Sequence, residues 1–431
     1  MSKPRIYIAI ATFYPLVGGI EKLALMQSRY LHEKGYAATI VTFRHNKAWA
    51  PNEVIDGVNV IRVAGMLLGR RGKLPRFMQK AFYVLSLGIM GWALWQGRRN
   101  YDVLHVHQLN LLALPAALAC WLTGKPMAVV VHSTRLAIPH DQPALIAGPL
   151  DATALWLQVH EQNQVGGDLE DLQRLGKPAI RFTRMLLHHI RAVIIILSSR
   201  MQTYLAAHDL LLPTTQPIPV GVDTTLFRPD YTSVSIEERT RNVICVSRLC
   251  YQKGIDVLLQ AWYLVHEQMP QARLIIVGDG PLRSQLECMT EALGLTHCVE
   301  FMGTQTDVVT LFHRALIAVL SSRWEGMPAT ILEAMACGLP CVATRVSGSE
   351  DIIQHGVNGL LIEYEDYKGL AQALLTLLHD PQLAQQYGCA ARATVEKHFS
   401  LEHMMNQYMD LYQRIVRGDS AIDAYQKQSV I

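Results

Sequence analysis

Short apolar runs alternate with longer amphipathic segments along most of the chain, and this rhythm predicts strands separated by helices. The first half contains six such runs: RIYIAIA (5–11), AATIVTF (37–43), VNVIRVA (58–64), VLHVH (103–107), MAVVVHS (127–133) and AVIIILS (192–198). The second half contains six more: VICVSRL, ARLIIVG, CVEFMG, IAVLSS, PCVATRV and GLLIE. Apolar runs joined by helix-length connections are typical of parallel sheets with crossover helices. We therefore predict an α/β protein with two doubly wound parallel sheets.

The rhythm pauses once, in the polar and proline-containing segment 217–242. We therefore predict an N-terminal Rossmann-like domain over 1–225, a linker over 226–240 and a second Rossmann-like domain over 241–400. A last helix within 401–431 is expected to pack back toward the first domain. Because doubly wound sheets bind ligands at the carboxyl ends of their strands, we expect the two domains to face a central cleft that holds the site.

Composition narrows the class of protein. Half of the 431 residues are hydrophobic and 17% are charged, which fits a globular protein, and the formal charge of +3 gives no electrostatic reason to expect a nucleic-acid partner. The N-terminal apolar run is too short for a signal-peptide core, so we expect a cytoplasmic protein that starts here. The eight cysteines form no Cys-x-x-Cys pair, and we interpret them as reduced packing residues.

Gly18 and Gly19 follow the first predicted strand and immediately precede a predicted helix. Glycine lets a phosphate or a sugar approach the backbone, and a helix N-terminus favours an anion. A tight strand-to-helix turn would explain the pair equally well. A second glycine segment, VGDGPLR (277–283), has Arg283 where the third glycine of a dinucleotide fingerprint should stand, which disfavours a nicotinamide cofactor.

The segment RWEGMPATILEAMACGLPCVA (323–343) combines two carboxylates with a predicted helix. Pro328 suits the first helical position, and Gly338 suits the helix end. Glu325 then lies in the preceding loop. Glu333 lies inside the helix, about 8 Å along the axis from the helix start. The two carboxylates are therefore too far apart to hold one ligand atom.

The backbone amides around Met327, Ala329 and Thr330 lie between these carboxylates and favour a phosphate. A hydrogen-bond acceptor, a phosphate site and a second acceptor thus follow one another along the segment. A nucleotide diphosphate sugar has its hydroxyls, phosphates and hydroxyls in the same order, so Glu325 would lie at the sugar hydroxyls and Glu333 at the ribose hydroxyls. The alternative is an ordinary acid at a helix N-terminus and a solvated helix residue.

Arg248 and Lys253 lie in SRLCYQKGID, directly after the first strand of the second half. Cations at this edge of a sheet could grip both phosphates of a diphosphate, although basic loop residues are often only solvated. No two aspartates are separated by a single residue, so the metal-binding Asp-x-Asp pattern is absent from the sequence. We therefore expect no cofactor and no obligatory metal.

Several segments together resemble the retaining GT-B glycosyltransferases of family 4, in the family's order and over nearly the whole chain. The segments are YPLVGGIEKL, VSRLCYQKGID, LIIVGDGP, FMGTQTDV, SSRWEGMPATILEAMACGLPCVAT and HGVNGLLIE. The resemblance implies a retaining, metal-independent glycosyltransferase with a GT-B fold that uses a UDP-, GDP- or ADP-linked sugar. The donor base and the sugar stay open.

The resemblance also assigns roles to residues of this chain. Arg248 and Lys253 would hold the diphosphate, Glu325 the sugar, and His132 would face the donor sugar as a fourth catalytic residue. Without the family, His132 would be interpreted as a structural hydrogen-bonding residue. The loop 303–307 would border the base. The implied donor-binding residues are Gly18, Gly19, Gly278, Thr304, Gly326, Met327, Ala329, Thr330 and Glu333.

The expected acceptor is a glycan or a lipid-linked glycan, in cell-surface polysaccharide or glycolipid synthesis. Residues 134–178 fit the family poorly, and we place acceptor recognition there. Basic residues from 69 onward precede an uncharged run from Ala81 to Trp95, which is too short to span a bilayer. We expect residues 69–95 to touch the inner face of the cytoplasmic membrane, although a helix packed on the sheet would have the same pattern.

Two other functions remain open from the sequence. A sugar-nucleotide epimerase on the same fold would bind similar donors without an acceptor. A noncatalytic nucleotide-sugar binding subunit would keep the pocket without turnover, which the complete set of Arg248, Lys253, Glu325 and Glu333 makes the weaker alternative.

Overall fold

The computed structural model of the chain describes residues 3–16, 18–64, 76–133, 168–230 and 242–419, with side-chain surroundings from residue 81 onward in the third range. The described residues form two compact units. The first unit contains the residues before 220 and those from 404 onward, and the second contains the residues from 220 to 403. The second unit therefore begins at Val220, before the predicted linker 226–240, most of which lies outside the described residues.

The first unit is built on an eight-stranded sheet with the order β3-β4-β2-β1-β5-β6-β7-β8. Its strands are β1 (Ile6–Ala9), β2 (Ala38–Arg44), β3 (Asn52–Ile55), β4 (Val58–Ala64), β5 (Val103–His107), β6 (Met127–Val131), β7 (Val193–Ile196) and β8 (Gln216–Pro217). All neighbours pair in parallel except β3 with β4. The strand order reverses between β1 and β5, as in other doubly wound sheets.

The strand β3 corrects the prediction of a purely parallel sheet. It pairs antiparallel with β4 through a two-residue turn at Asp56 and Gly57, whose φ values are 47° and 80°. Two consecutive positive φ values are typical of the tight turn that matches the twist of a hairpin. Because the sequence of this edge strand is partly polar, a search for apolar runs does not find it. The Asp-Gly pair, however, is a recognisable signal of a hairpin turn.

Helices cover both faces of the first sheet. They are α1 (Gly19–Glu33), α2 (Arg76–Gln96), α3 (Ala113–Thr123), α4 (Glu170–Arg174), α5 (Lys177–His189), α6 (Ser199–Ala207) and the last helix of the described residues, α14 (Leu401–Arg417). The connections through α2, α3 and α5 run one way along the strand order, whereas α1 connects β1 to β2 the other way. Because such crossovers are right-handed, α1 lies on the opposite face from α2, α3 and α5.

The helix α14 shares the face of α1. The hydroxyl of Tyr412 lies 2.5 Å from Nδ1 of His105 on β5, and Gln413 donates a hydrogen bond of 2.8 Å to Tyr36, which follows α1. Leu104, the neighbour of His105, points to the other face, where Tyr7 packs at the end of α2. The end of the chain therefore completes the core of the first unit.

The second unit is built on a six-stranded parallel sheet with the order β11-β10-β9-β12-β13-β14. Its strands are β9 (Asn242–Val246), β10 (Arg273–Val277), β11 (Val299–Gly303), β12 (Ile317–Leu320), β13 (Cys341–Thr344) and β14 (Gly359–Ile362). Its helices are α7 (Ile255–Gln268), α8 (Arg283–Ala292), α9 (Val309–His313), α10 (Ala329–Ala336), α11 (Ser349–Ile352), α12 (Tyr367–His379) and α13 (Pro381–His398). The strand order reverses between β9 and β12, which are adjacent.

The cysteines are all free, as predicted, but not all of them are packing residues. Six are buried, whereas Cys288 and Cys389 are exposed on helices of the second unit. In the part of the chain that the structure describes, no helix combines the length and the apolar character needed to cross a bilayer.

Candidate active site

Lys253 and Glu325, two of the predicted site residues of the second unit, meet where β9 and β12 end. These strands are neighbours at the reversal of the strand order, so the loops that follow them open side by side. The loop after β9 carries Arg248 and Lys253, and the loop after β12 carries Glu325. The sheet topology therefore brings together residues that are more than seventy positions apart in the sequence.

Lys253 and Glu325 form an ion pair. The Nζ of Lys253 donates a hydrogen bond of 2.5 Å to Oε1 of Glu325, and the hydroxyl of Ser322 donates a second bond of 2.6 Å to the same oxygen. Glu325 is only 5% exposed. A buried carboxylate needs such partners because losing hydration is costly. The pair thus fixes the position of both side chains.

Arg323 is a buried residue of this loop that the sequence analysis overlooked. Its guanidinium makes two hydrogen bonds, of 3.0 and 2.7 Å, to the two carboxylate oxygens of Asp256 on α7, and it also bonds Glu365. The same group lies 4.1 Å from the ring centre of Tyr251. Burial opposes the charge of Arg323, but the attraction of Asp256 raises its pKa above the ordinary value. Arg323 therefore ties the Glu325 loop to the Lys253 loop.

A glycine permits the close approach of these two loops. Gly254 has a φ of 58°, and a Cβ at this position would lie 2.2 Å from the carbonyl oxygen of Ser321. Both the backbone conformation and the space therefore require glycine here. Gly278 is explained in the same way, because a Cβ there would lie 2.0 Å from the carbonyl oxygen of Ser247. Packing alone accounts for Gly278, which we predicted as a donor-binding residue.

The helix α10 follows Glu325 closely. Pro328 is the N-cap, with an extended ψ of 98°, and not the first helical residue as we predicted, so the helix begins at Ala329. Ala329 is exposed and Thr330 half-buried, and amides of the first turn have no intrahelical acceptor. Glu333 is half-buried on the second turn. Gly338, at a φ of 80°, follows the helix end as predicted.

Gly326 and Met327 precede this helix and are buried. The sulfur of Met327 accepts a hydrogen bond of 3.1 Å from the backbone amide of Val220, so its side chain has a structural role. A Cβ on Gly348 would lie 2.5 Å from the carbonyl oxygen of Gly326. The backbone after β13 therefore supports the loop that carries Glu325.

Two predicted residues, Arg248 and Thr304, do not belong to the Lys253–Glu325 ion pair. Arg248 is exposed on the loop after β9. Thr304 is exposed after the edge strand β11, which β10 separates from β9. The structure therefore brings Thr304 to the same edge of the sheet, but not into the Lys253–Glu325 cluster.

In the first unit, Gly18 and Gly19 start the helix α1. Gly18 is the N-cap and Gly19 the first helical residue, so Gly19 does not precede the helix as we predicted. The carboxylate of Glu21 accepts a hydrogen bond of 2.5 Å from Thr12, and its other oxygen lies 2.6 Å from the place a Cβ of Gly18 would take. A carboxylate already lies at this helix N-terminus and competes there with any anionic ligand.

His132 lies after β6 in a row of stacked histidine rings. Its Nε2 is 3.0 Å from Nδ1 of His107, and the rings of His107 and His105 stack at 4.7 Å between centres. His105 and His107 are fully buried. Burial lowers the pKa of His105 to about 3 and that of His107 well below its ordinary value. The alternation of the VLHVH strand, which puts both rings on one face, was a signal that we did not use.

Asp168 holds the backbone beside His132. Its carboxylate accepts a hydrogen bond of 2.6 Å from the His132 amide, and burial raises its pKa to about 7. Sequence reasoning did not single out Asp168, since it lies within the segment 134–178. Residues 134–167 of that segment, where we predicted acceptor recognition, lie outside the described residues.

One group of side chains among the described residues is close enough to share a metal ion. His266, His297 and Cys298 offer ligand atoms that all lie within 4.8 Å of one another. The thiol of Cys298 donates to the carbonyl oxygen of Leu295 at 3.4 Å, and burial raises its pKa. Metal ligation needs the thiolate, which this environment disfavours. None of the three is a predicted site residue.

Comparison with known proteins gives the family. Residues 17–226 match Glycosyltransferase Family 4, and residues 230–394 match Glycosyl transferases group 1. The N-acetyl-alpha-D-glucosaminyl L-malate synthase of Bacillus anthracis is 27% identical over 421 residues, which cover 95% of this chain and 97% of that protein. A GDP-mannose-dependent alpha-(1-6)-phosphatidylinositol monomannoside mannosyltransferase of Mycobacterium tuberculosis is 30% identical over 219 residues, which cover 47% of this chain and 56% of that protein.

The fold also matches known structures. The crystal structure of Anabaena Alr3699/HepE in complex with UDP aligns with a TM-score of 0.70 at 20% identity, over 95% of this chain and 99% of that one. The two doubly wound units are therefore those of a GT-B fold. The chain belongs to glycosyltransferase family 4, and it is a glycosyltransferase.

Proposed function

We propose that this glycosyltransferase holds a nucleotide sugar in its second unit and transfers the sugar, with retention and without a metal ion, to a glycan or lipid-linked acceptor. The product would enter a cell-surface polysaccharide or glycolipid. The observation that carries the proposal is the meeting of Lys253, Glu325 and the start of α10 at the reversal of the second sheet.

The donor diphosphate would be held by charge and by backbone amides. Arg248 and Lys253 supply two cations on one loop, and the amides of Ala329 and Thr330 open the helix α10. Charge accumulates on the diphosphate as it leaves, so groups fixed in advance around it lower the barrier. The sequence lacks the Asp-x-Asp pattern that would bring a metal to the diphosphate, and these groups would take its place.

The two carboxylates would hold the hydroxyls on either side of the diphosphate. Glu325 is already fixed by Lys253 and Ser322, so it would lose little freedom when it accepts hydrogen bonds from the sugar. Glu333, one turn into α10, would accept from the ribose. His132 remains a proposed catalytic residue, with its ring oriented by His107 and its backbone held by Asp168.

The names of two relatives guide the choice of donor and product. Both the malate synthase and the mannosyltransferase carry the word alpha in their names. An α-linked product from an α-linked donor is what retention means. The Anabaena structure contains UDP and the mycobacterial relative uses GDP-mannose, so UDP- and GDP-linked sugars are the first donors to test, with ADP as the third.

Calorimetric titration of UDP, GDP and ADP with EDTA present tests the proposal. We expect one nucleotide to bind, and Arg248→Ala to weaken it at least tenfold. Arg273→Ala is the matched control, because Arg273 is exposed at the amino end of β10, the opposite edge of the same sheet. Binding that requires added Mg²⁺ would overturn the metal-free donor site.

Transfer itself is tested by product analysis. With the bound nucleotide's sugar as donor, NMR of the product should show an α-glycosidic linkage, and a β-linkage would overturn retention. Conversion of the donor sugar without an acceptor would support the epimerase, which none of the family matches favours.

We further propose that the enzyme works in the cytoplasm at the inner face of the membrane, with contact through residues 69–95. Within this range the structure describes the helix from Arg76 onward, and the residues before it lie outside the description. The support is the outward apolar surface of α2, where Phe82, Val84, Leu85 and Trp92 are exposed.

A further inference from the structure

Three helices on one face of the first sheet pack side by side. The connections through α2, α3 and α5 share one direction and therefore one face. A Cβ on Gly91 of α2 would lie 3.0 Å from the Cβ of Pro115 on α3, which shows how closely these two helices approach. The rings of Trp121 on α3 and His189 on α5 lie 6.3 Å apart. The three helices thus form one continuous layer.

The outer side of this layer is apolar. Nine of the sixteen large hydrophobic side chains that are exposed in the described residues lie on these three helices: Phe82, Val84, Leu85, Trp92, Leu118, Trp121, Leu122, Phe182 and Met185. Trp92 is 58% exposed, Trp121 51% and Met185 61%. A surface helix normally exposes polar residues, so a shared apolar outer face indicates an interaction surface.

These exposed side chains do not serve the core. The inner sides of the same helices already provide buried residues, among them Met90 and Leu94 of α2, Cys120 of α3 and Leu187 of α5. The outer apolar residues are therefore additional to those that hold the helices on the sheet. Their exposure needs an explanation other than folding.

Charges on this surface have one sign. Residues 81–101, 113–125 and 177–191 contain no Asp or Glu, whereas α5 exposes Lys177, Arg181 and Arg184. Only Arg184 of these three pairs with an acid in the described residues, Asp209, at 3.0 Å. At the end of α2, Arg98 lies 4.4 Å from the ring centre of Trp95. The layer combines apolar side chains with cations and presents no carboxylate of its own.

An anionic lipid surface has the complementary chemistry. Its hydrocarbon takes up the apolar side chains, and its phosphates attract the cations. Tryptophan suits the boundary between hydrocarbon and water because one ring is both apolar and a hydrogen-bond donor. A second copy of this chain fits less well, since a twofold contact pairs the layer with itself and offers its cations no carboxylate from these helices.

We propose that the outer face of α2, α3 and α5, hereafter the docking layer, binds the surface of an anionic lipid bilayer with its helices lying flat. Trp92, Trp121 and Met185 enter the headgroup region, and Lys177 and Arg181 contact lipid phosphates. This inference deepens the proposed membrane contact, which named one helix, by adding two helices and specific anchors. The proposed membrane role of the enzyme is its starting point, but lipid binding itself needs no sugar transfer.

Vesicle binding of the full chain tests the docking layer. Vesicles of 30% phosphatidylglycerol in phosphatidylcholine should bind the protein at least tenfold more strongly than pure phosphatidylcholine vesicles. Trp121→Ser combined with Met185→Ser should lower the binding at least tenfold, and Lys177→Gln with Arg181→Gln should abolish the preference for the anionic lipid. Val416→Ser is the matched control, because Val416 is 45% exposed on α14, across the sheet from the docking layer.

The outcomes separate this inference from the proposed function. If the wild type does not bind the vesicles, or if the Trp121 and Met185 variant binds as well as Val416→Ser, the docking layer is refuted while nucleotide binding stands. A concentration-dependent dimer that the same variant abolishes would assign the layer to a second copy and also overturn the inference. If the wild type binds vesicles but no nucleotide, the proposed donor site is refuted and the docking layer stands. Thermal unfolding of each variant checks that the fold is kept.

Discussion

The Nζ of Lys253 lies 2.5 Å from Oε1 of Glu325, so the cation assigned to the diphosphate and the carboxylate assigned to the sugar contact each other directly. Neither side chain is more than 18% exposed. Each therefore depends on the other for its charged state to be tolerated. One pair therefore sets position and charge at the proposed donor site.

Removing either member of the ion pair should lower the free energy of unfolding, and removing both should lower it by less than the sum of the two single losses. We expect Glu325→Gln and Lys253→Met each to lower the free energy of unfolding by about 3 kcal/mol, because each leaves a partner without its counter-charge. The double variant should lose at least about 1 kcal/mol less than the sum. Urea denaturation measures all four proteins, and strictly additive losses would show that the pair is not coupled.

The two carboxylates should separate transfer from nucleotide binding. Glu325→Ala should reduce transfer at least 100-fold and change nucleotide affinity much less, because it would affect nucleotide binding only through the position of Lys253. Glu333→Ala should weaken nucleotide binding at least tenfold, since it removes a charged acceptor worth about 1.5–3 kcal/mol. Calorimetry and initial rates measure both, with Glu291→Ala on α8 as the control carboxylate. Unchanged activity and binding in both variants would refute the assignment of the two ends.

Arg323 should stabilise the fold more than an exposed arginine does. Arg323→Met leaves Asp256 without its bidentate partner and should cost about 3 kcal/mol of unfolding free energy. Arg345→Met is the control, because Arg345 bonds Glu363 at the exposed surface and should cost about 1 kcal/mol or less. Denaturation compares them. Equal losses would mean that burial of Arg323 carries no special weight.

The contact between the two loops should tolerate no side chain at Gly254. We expect Gly254→Ala to cost well over about 2 kcal/mol, because the new Cβ would collide with a backbone oxygen and the left-handed conformation disfavours alanine. Gly294→Ala shares the positive φ but meets open space, so it should cost about 1 kcal/mol. Thermal unfolding of the two variants gives the comparison. Similar losses would show that the loops can move apart freely.

Buried histidines should make the first unit sensitive to acid. The unfolded chain protonates His105, His107 and His132 near pH 6.5, whereas burial in the folded chain lowers all three pKa values, to about 3 for His105 and His132. The unfolded state therefore binds more protons as pH falls, and stability declines. Asp168 acts in the opposite direction, because its folded pKa of about 7 lets the folded state bind a proton first.

Asp168→Asn isolates these opposing effects. Between pH 6 and 4, the three histidines bind protons only in the unfolded state and Asp168 binds one only in the folded state. The net difference of two protons corresponds to about 2.7 kcal/mol of stability lost per pH unit. Without the carboxyl, three protons differ between the two states, and the loss should approach one and a half times that slope. Denaturation at several pH values measures it, and an unchanged slope in the variant would show that Asp168 does not titrate in this range.

The strands were the easiest part of the fold to predict. All twelve predicted runs overlap an observed strand, because parallel strands covered by helices on both faces are buried and mostly apolar. β3 was not predicted because an edge strand in a hairpin can be polar. β8 was not predicted because it has only two residues.

The contacts of the site were harder to predict. Glu325 and Lys253 could each be singled out from local sequence, but their ion pair depends on the adjacency of β9 and β12, which no local pattern encodes. Arg323 was overlooked for the same reason, since its partners Asp256 and Glu365 lie far along the chain. The exposed apolar residues of α3 and α5 became visible only once burial was known.

The return of α14 to the first sheet has a consequence for synthesis of the protein. Tyr412 is made 307 residues after His105, yet the two side chains touch in the finished core. The ring of His105, on a strand that leaves the ribosome early, therefore stays uncovered until residue 412 has emerged. The N-terminal unit is begun first and completed last, so a chain stopped after its second unit would leave the first one unfinished.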